Sequence, residues 1–246
     1  MPPLLTVSGR DVLFAHWPVE LSALRPQVPD PLTVDTFDGS AWVSALALEN
    51  VGVAPGSLGP LSVEVPTPQL NLRTYVSNEG DGGVYFHSLD TGDRVAAELG
   101  RRAFGLGFHS ARSRIRRAGD VLRFSSRRER NEGPDAVFRA RYRPEGTASE
   151  LEPGSVAAFC TERDRYFIPP GEGGATLSLA GASGDGSLVV GRITRDPWQV
   201  SPVDATVRAN TLFEANGLPA PDGDPVLCYS PGFEMGVEPV ELRDVR

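Results

Sequence analysis

No lysine occurs anywhere in this chain; all 24 of its basic side chains are arginine. A lysine amine is what condenses with a carbonyl group to form a Schiff base, so that class of covalent catalysis is excluded at the side chains. The remaining amine is the chain's own N-terminus. Removal of Met1 would expose the secondary amine of Pro2, but nothing in the sequence brings that end into a pocket. Cysteine is scarce as well. Cys160 and Cys228 lie far apart, which fits neither a disulfide scaffold nor a zinc knuckle. Buried free thiols in a reducing, cytoplasmic compartment are expected.

Three histidines, His16, His87 and His109, match no ligand spacing, so no metal and no cofactor are expected. There is no Gly-x-Ser-x-Gly elbow. Gly9-Arg10-Asp11, Gly171-Glu172-Gly173-Gly174 and Gly184-Asp185-Gly186 read as turns, since none continues into a phosphate loop or a dinucleotide fingerprint. No apolar run approaches the roughly 18 residues of a membrane span. The N-terminus lacks the basic start and apolar stretch of a secretory signal. With 32 acidic residues and a net charge of −8, general nucleic-acid binding is disfavoured. An acidic, all-arginine composition is halophile-like, although a GC-rich genome produces the same arginine bias.

The 246 residues, 40% of them apolar, suit one domain with a real core. Short apolar or alternating runs separated by Gly, Pro, Asn and Asp predict a mostly β fold, a barrel or a sandwich. Strands are expected at residues 11–17, 33–37, 41–48, 69–77, 84–89, 108–116, 121–128, 136–142, 165–168, 176–180, 188–194, 226–230 and 232–239. Helices are expected after residue 20, at 94–104 between an Asp93 cap and Gly105, at 153–161, and at 207–216 before Gly217. Residues 52–68 read as a long loop. The clearest strand puts Leu70, Leu72, Thr74 and Val76 on one face, and Gln69, Asn71, Arg73 and Tyr75 on the other.

Three segments carry a resemblance. They are Phe14-Ala15-His16-Trp17-Pro18-Val19 running on to Leu32; Pro68-Gln69-Leu70-Asn71-Leu72-Arg73-Thr74-Tyr75-Val76 with Gly83 to Asp90; and Gly100-Arg101-Arg102 to His109, with Tyr229-Ser230-Pro231-Gly232 near the end. In this order they resemble the YqjF-like family of uncharacterised proteins and, more distantly, acetoacetate decarboxylase. The resemblance implies a cone-like antiparallel β-barrel with peripheral helices, and it makes a homo-oligomer possible. It places the decarboxylases' lysine pair at Phe108 and His109, their pocket glutamate at Gln69 and an N-terminal arginine at Arg10. The amine, its perturbing lysine and the carboxylate are therefore all replaced.

Two sets of residues compete for a role. Gln69, Asn71, Arg73 and Tyr75 are either a solvated strand face or the lining of a barrel lumen; an enclosed Arg73 must meet a ligand anion or an internal partner such as Glu98 or Glu234. His109 is either a proton-transfer group or a structural histidine. Arg112, Arg114 and Arg116, with Arg123, Arg127, Arg128 and Arg130, form the one basic patch, best read as a solvated, salt-bridged edge. Three functions follow. The lumen holds a small anionic or carbonyl-bearing metabolite, with Arg10, Gln69, Asn71, Tyr75 and Phe108 as ligand-binding positions. Alternatively an altered enzyme, a lyase or hydrolase, uses His109 and Arg73 as catalytic groups. Or the interior is filled and serves as a scaffold.

Overall fold

The structure, a computed structural model, describes residues 3–56, 66–170 and 186–245. The strand expected at 176–180, the turns at 171–174 and 184–185, and Pro2 lie outside the described residues. In chain order, β1 (Leu5–Val19) leads through α1 (Leu21–Leu24) and a 3-10 turn at Arg25–Gln27, which contains Pro26 at its start, to β2 (Thr33–Val34), β3 (Thr36–Phe37) and β4 (Ser40–Pro55). Next come β5 (Thr67–Asn78), β6 (Asp81–Thr91), α2 (Arg94–Phe104) and β7 (Phe108–Ser110). A separate run follows: β8 (Arg114–Ala118), β9 (Val121–Arg127), β10 (Val137–Pro144), β11 (Ser149–Glu150) and α3 (Val156–Thr161). The chain then continues through β12 (Arg165–Ile168), β13 (Ser187–Thr194), β14 (Gln199–Val200), β15 (Val203–Asn210), α4 (Leu212–Ala215), β16 (Val226–Val237) and β17 (Glu241–Asp244).

Seven strands pair in a closed ring: β5, β4, β1, β16, β13, β12, β6 and back to β5. Closure leaves those strands no free edge, which is how a sheet of this size avoids edge-to-edge association. The ring is not wholly antiparallel, as had been expected. β12 and β7 both pair with β6 in parallel. For β7, which adds to β6 beside the ring, the reason is α2, which carries the chain from the end of β6 back to the start of β7; a parallel neighbour needs such a crossover. Asp93 caps α2, its carboxylate accepting from the backbone N–H of Val95 and Ala96, and Gly105 closes it in a left-handed conformation at φ 64°.

A second sheet of four strands, β15-β10-β9-β8, covers one outer side of the ring. The main core lies between them: Leu13, Ala15, Ala45, Ala47, Leu70 and Leu72 from the ring meet Leu122, Phe124, Phe138 and Tyr142 from the second sheet. Fully burying each large apolar side chain contributes roughly 1.5–3 kcal/mol. The opposite parity of the ring strands points inward, where Val12, Phe14, Leu46 and Trp198 form one cluster and Trp42, Tyr75, Val84 and Tyr166 another. Both faces of β1, β4 and β5 are therefore covered.

The helix expected at 207–216 is divided: residues 207–210 end a strand, and only its second half is helical. In β15, Val203, Ala205 and Val207 pack on the core while Asp204, Thr206 and Arg208 are exposed, a period of two. Only Leu212–Ala215 coils. The hairpin expected from residue 108 also divides: Phe108–Ser110 pairs with β6 beside the ring, and the second sheet begins at Arg114. Among the described residues no helix is long and apolar enough to cross a membrane.

Candidate functional site

The inward side chains of the ring stack in register rows. Phe14, Leu46, Asn71 and Leu89 stand opposite one another across four strands; His16, Ser44 and Arg73 form the next row, closed by Phe86. Above these rows the ring encloses a cavity of about 250 Å³. Gln69, Asn71 and Arg73 enter it from β5, and Phe86 and Leu89 from β6. Phe108, Leu106, Trp198, Tyr166 and Phe233 are among its walls.

Four arginines line the cavity, and three have carboxylate partners. Arg163 pairs with Asp35 at 2.9 Å, Arg165 with Asp164 at 2.9 Å and Asp81 at 3.3 Å, and Arg195 with Glu162 at 2.9 Å. Arg73 has none among the described residues. Its Nη2 donates to the carbonyl of Cys160 at 2.7 Å, and its guanidinium carbon sits 5.8 Å from the centre of the Tyr75 ring. Its Nε–H, fully enclosed, meets no acceptor. The two internal partners the sequence suggested are absent: Glu98 is engaged by Arg101 and Arg102, and Glu234 is exposed.

The amides beside Arg73 are oriented in series. Asn50 Nδ2 donates to Gln69 Oε1, and Gln69 Nε2 donates to Asn71 Oδ1 at 2.7 Å. Asn71 is thus left with its Nδ2–H donor, two residues from Arg73 on the same face. The polar end of the cavity therefore consists of donors without an acceptor.

Behind Arg73 lies a neutral buried chain. His16 Nδ1 and Ser44 Oγ share a hydrogen bond of 2.6 Å, and Ser44 Oγ and Tyr75 OH share one of 2.5 Å. Burial, and then the Arg73 charge, lower the His16 imidazole to about 3. Burial raises the Tyr75 phenol and pushes the Cys160 thiol up to about 11. All three are neutral at physiological pH, so none offsets the guanidinium.

The other expected site residues are placed differently. Tyr75 is fully buried beneath Arg73 rather than in the cavity wall. Arg10 is half-exposed, outside the lining, with its Nε on Glu49 at 2.7 Å. His109 also lies outside the lining. In the β6–β7 pairing Leu89 stands opposite Phe108 and Asp90 opposite His109, so a single residue separates the cavity face from the other. His109 there neighbours the buried Asp90–Arg128 pair and is held below the ordinary histidine value by burial and then by Arg128.

Phe108 is fixed from behind. A Cβ on Gly100 of α2 would fall 2.6 Å from its ring, so only glycine lets the helix seat against it. Arg163, Arg165 and Arg195, paired guanidinia in the wall, were not anticipated as cavity residues.

Comparisons with known proteins agree with the ring. Solved structures of the same fold include "Structural Studies of Acetoacetate Decarboxylase", 15% identical with a TM-score of 0.65, covering 99% of this chain and 90% of that one. An acetoacetate decarboxylase from Legionella pneumophila is 11% identical with a TM-score of 0.64, covering 99% and 87%. The enduracididine biosynthesis enzyme MppR, complexed with pyruvate, is 12% identical with a TM-score of 0.64, covering 98% and 91%. At these identities the likeness is one of fold. At the sequence level, the uncharacterized protein YqjF of Bacillus subtilis (strain 168) is 34% identical over 227 residues, 92% of this chain and 87% of its own length. The profile of DUF2071, "Uncharacterized conserved protein (COG2071)", matches residues 6–234. On both grounds the chain belongs to the DUF2071 family.

Proposed function

We propose that the ring is a receptor for a small organic anion, which it holds through Arg73. The observation that carries this reading is one buried guanidinium left without a carboxylate in a cavity whose other three arginines each have one. An uncompensated buried charge is costly. A ligand carboxylate supplies the missing partner, with Asn71 Nδ2 as a second donor on the same side. A protein of this fold, MppR, is complexed with pyruvate, itself a small carboxylate.

The absence of lysine sets what the receptor does not do. Phe108 occupies the place that the decarboxylase resemblance assigns to an amine, so a bound keto acid would meet a benzyl group and no nucleophile there. His109, outside the lining, has no part in the proposed site. The test is thermal unfolding with carboxylates present. A bound carboxylate raises the midpoint by mass action in the wild type and leaves Arg73→Met unmoved. Equal shifts in both proteins would remove Arg73 from the site.

A further inference from the structure

Resting on that reading, we infer that the ligand is a monocarboxylic acid of roughly ten non-hydrogen atoms in all, its body aryl or medium-chain alkyl. Its carboxylate sits on Arg73, and its body runs along Phe86, Phe108 and Trp198. Three observations converge on this class.

The first is charge. One cavity guanidinium lacks a partner, and the other three are neutralised in place. One carboxylate completes the site. A second carboxylate on the same ligand would lie along Phe86, Phe108 and Trp198, and the remaining guanidinia of the lining already have carboxylate partners.

The second is the wall. Apart from the donor end on β5 and the paired arginines, the lining is almost entirely aliphatic and aromatic. A small hydroxy or keto acid would leave most of that surface unfilled. An apolar body gains about four-fold in affinity for each methylene it buries.

The third is size. An apolar cavity of about 150 Å³ accommodates benzene, or about 25 Å³ per ligand atom. At about 250 Å³ this cavity holds roughly ten such atoms, the size of octanoate or phenylacetate. Gly100 helps to set that limit, because its missing side chain lets the Phe108 ring withdraw towards α2.

The experiment is calorimetric titration of the full chain with straight-chain acids from butyrate to dodecanoate. Phenylacetate, adipate, octan-1-ol, pyruvate and acetoacetate complete the set. Affinity is expected to rise about four-fold per methylene up to octanoate and then fall, with phenylacetate similar to octanoate. Adipate, with the same number of heavy atoms, and octan-1-ol, with no charge, should bind at least thirty-fold more weakly. Phe108→Ala should move the optimum to longer acids, and Gly100→Ala to shorter ones. Because the wild-type series is decisive alone, neither variant has to fold for the test to stand. A flat profile along the series, or pyruvate and acetoacetate binding as tightly as octanoate, would overturn the apolar class while leaving the anion receptor intact. Failure of every carboxylate to bind would bring down the receptor reading itself.

Discussion

Among the described residues two arginines, Arg73 and Arg128, are buried, and they are satisfied in opposite ways. Arg128, at the end of β9, meets Asp90 of β6 through two bonds, Nε to Oδ1 at 2.7 Å and Nη2 to Oδ2 at 3.0 Å, with both side chains almost fully enclosed. Arg73, also on the ring, has a backbone carbonyl, an aromatic face and an open cavity. The first is a closed clamp tying the second sheet's last turn to the ring. The second is an incomplete pair, and what completes it must come from outside. Burial alone therefore does not distinguish a structural arginine from a receptor; the presence of a carboxylate does.

The largest expected effect breaks the clamp. Arg128→Met strands the Asp90 carboxylate and should cost about 3–5 kcal/mol in urea unfolding, as removing one partner of a buried pair does. Arg73→Met should instead weaken binding of the matching carboxylate by about 2–3 kcal/mol, read by titration, since a charge-assisted bond is lost from a desolvated site.

Acid sharpens the comparison further. His16, in the same register row as Arg73, stays neutral in the folded protein down to about 3, while the unfolded chain takes up a proton near 6.5. The unfolded state therefore binds more protons between those values. The stability His16 contributes is intact above 6.5 and declines as pH falls, by about 1.4 kcal/mol per pH unit. Burial also lowers His87 to about 4 and lowers His109, so unfolding free energies between pH 7 and 4 read the three histidines together, while the imidazole signal of His16 in the folded protein should not titrate above pH 4.

The smallest effect lies on the exposed face of the second sheet. Arg116, Arg123 and Arg141 stand directly opposite one another across β8, β9 and β10, with no ion pair for any of them among the described residues. Arg123→Ala should be neutral or stabilising by a few tenths of a kcal/mol, because like charges in cross-strand register repel.

Much of this arrangement was legible in the sequence where a single period governed. The alternation at 69–77 put Gln69, Asn71 and Arg73 on one face of β5 but left solvent and lumen open for it, the resemblance pointing to the lumen that they line; α2 runs between the cap and the stop that Asp93 and Gly105 announce. What was hidden depends on pairings between distant segments. The direction of His109 is set by the parallel register with β6, which local pattern does not encode. Val207 looked helical because the short α4 follows a strand whose exposed face carries charge. Of the basic patch, Arg112, Arg127 and Arg128 find carboxylates as expected, while Arg114, Arg116 and Arg123 are exposed and meet none among the described residues. Arg10, aligned with a site arginine by resemblance, is instead drawn to Glu49 across the β1–β4 pairing.

The most direct test of the central claim needs no ligand. It is the unfolding free energy of Arg73→Met beside that of Arg128→Met, both in plain buffer. If Arg73 waits for an external partner, replacing it with an apolar side chain leaves the empty protein as stable as the wild type or more so, while Arg128→Met loses several kcal/mol. A loss at Arg73 as large as that at Arg128 would show that its charge is already satisfied within the fold, and the receptor would have no basis.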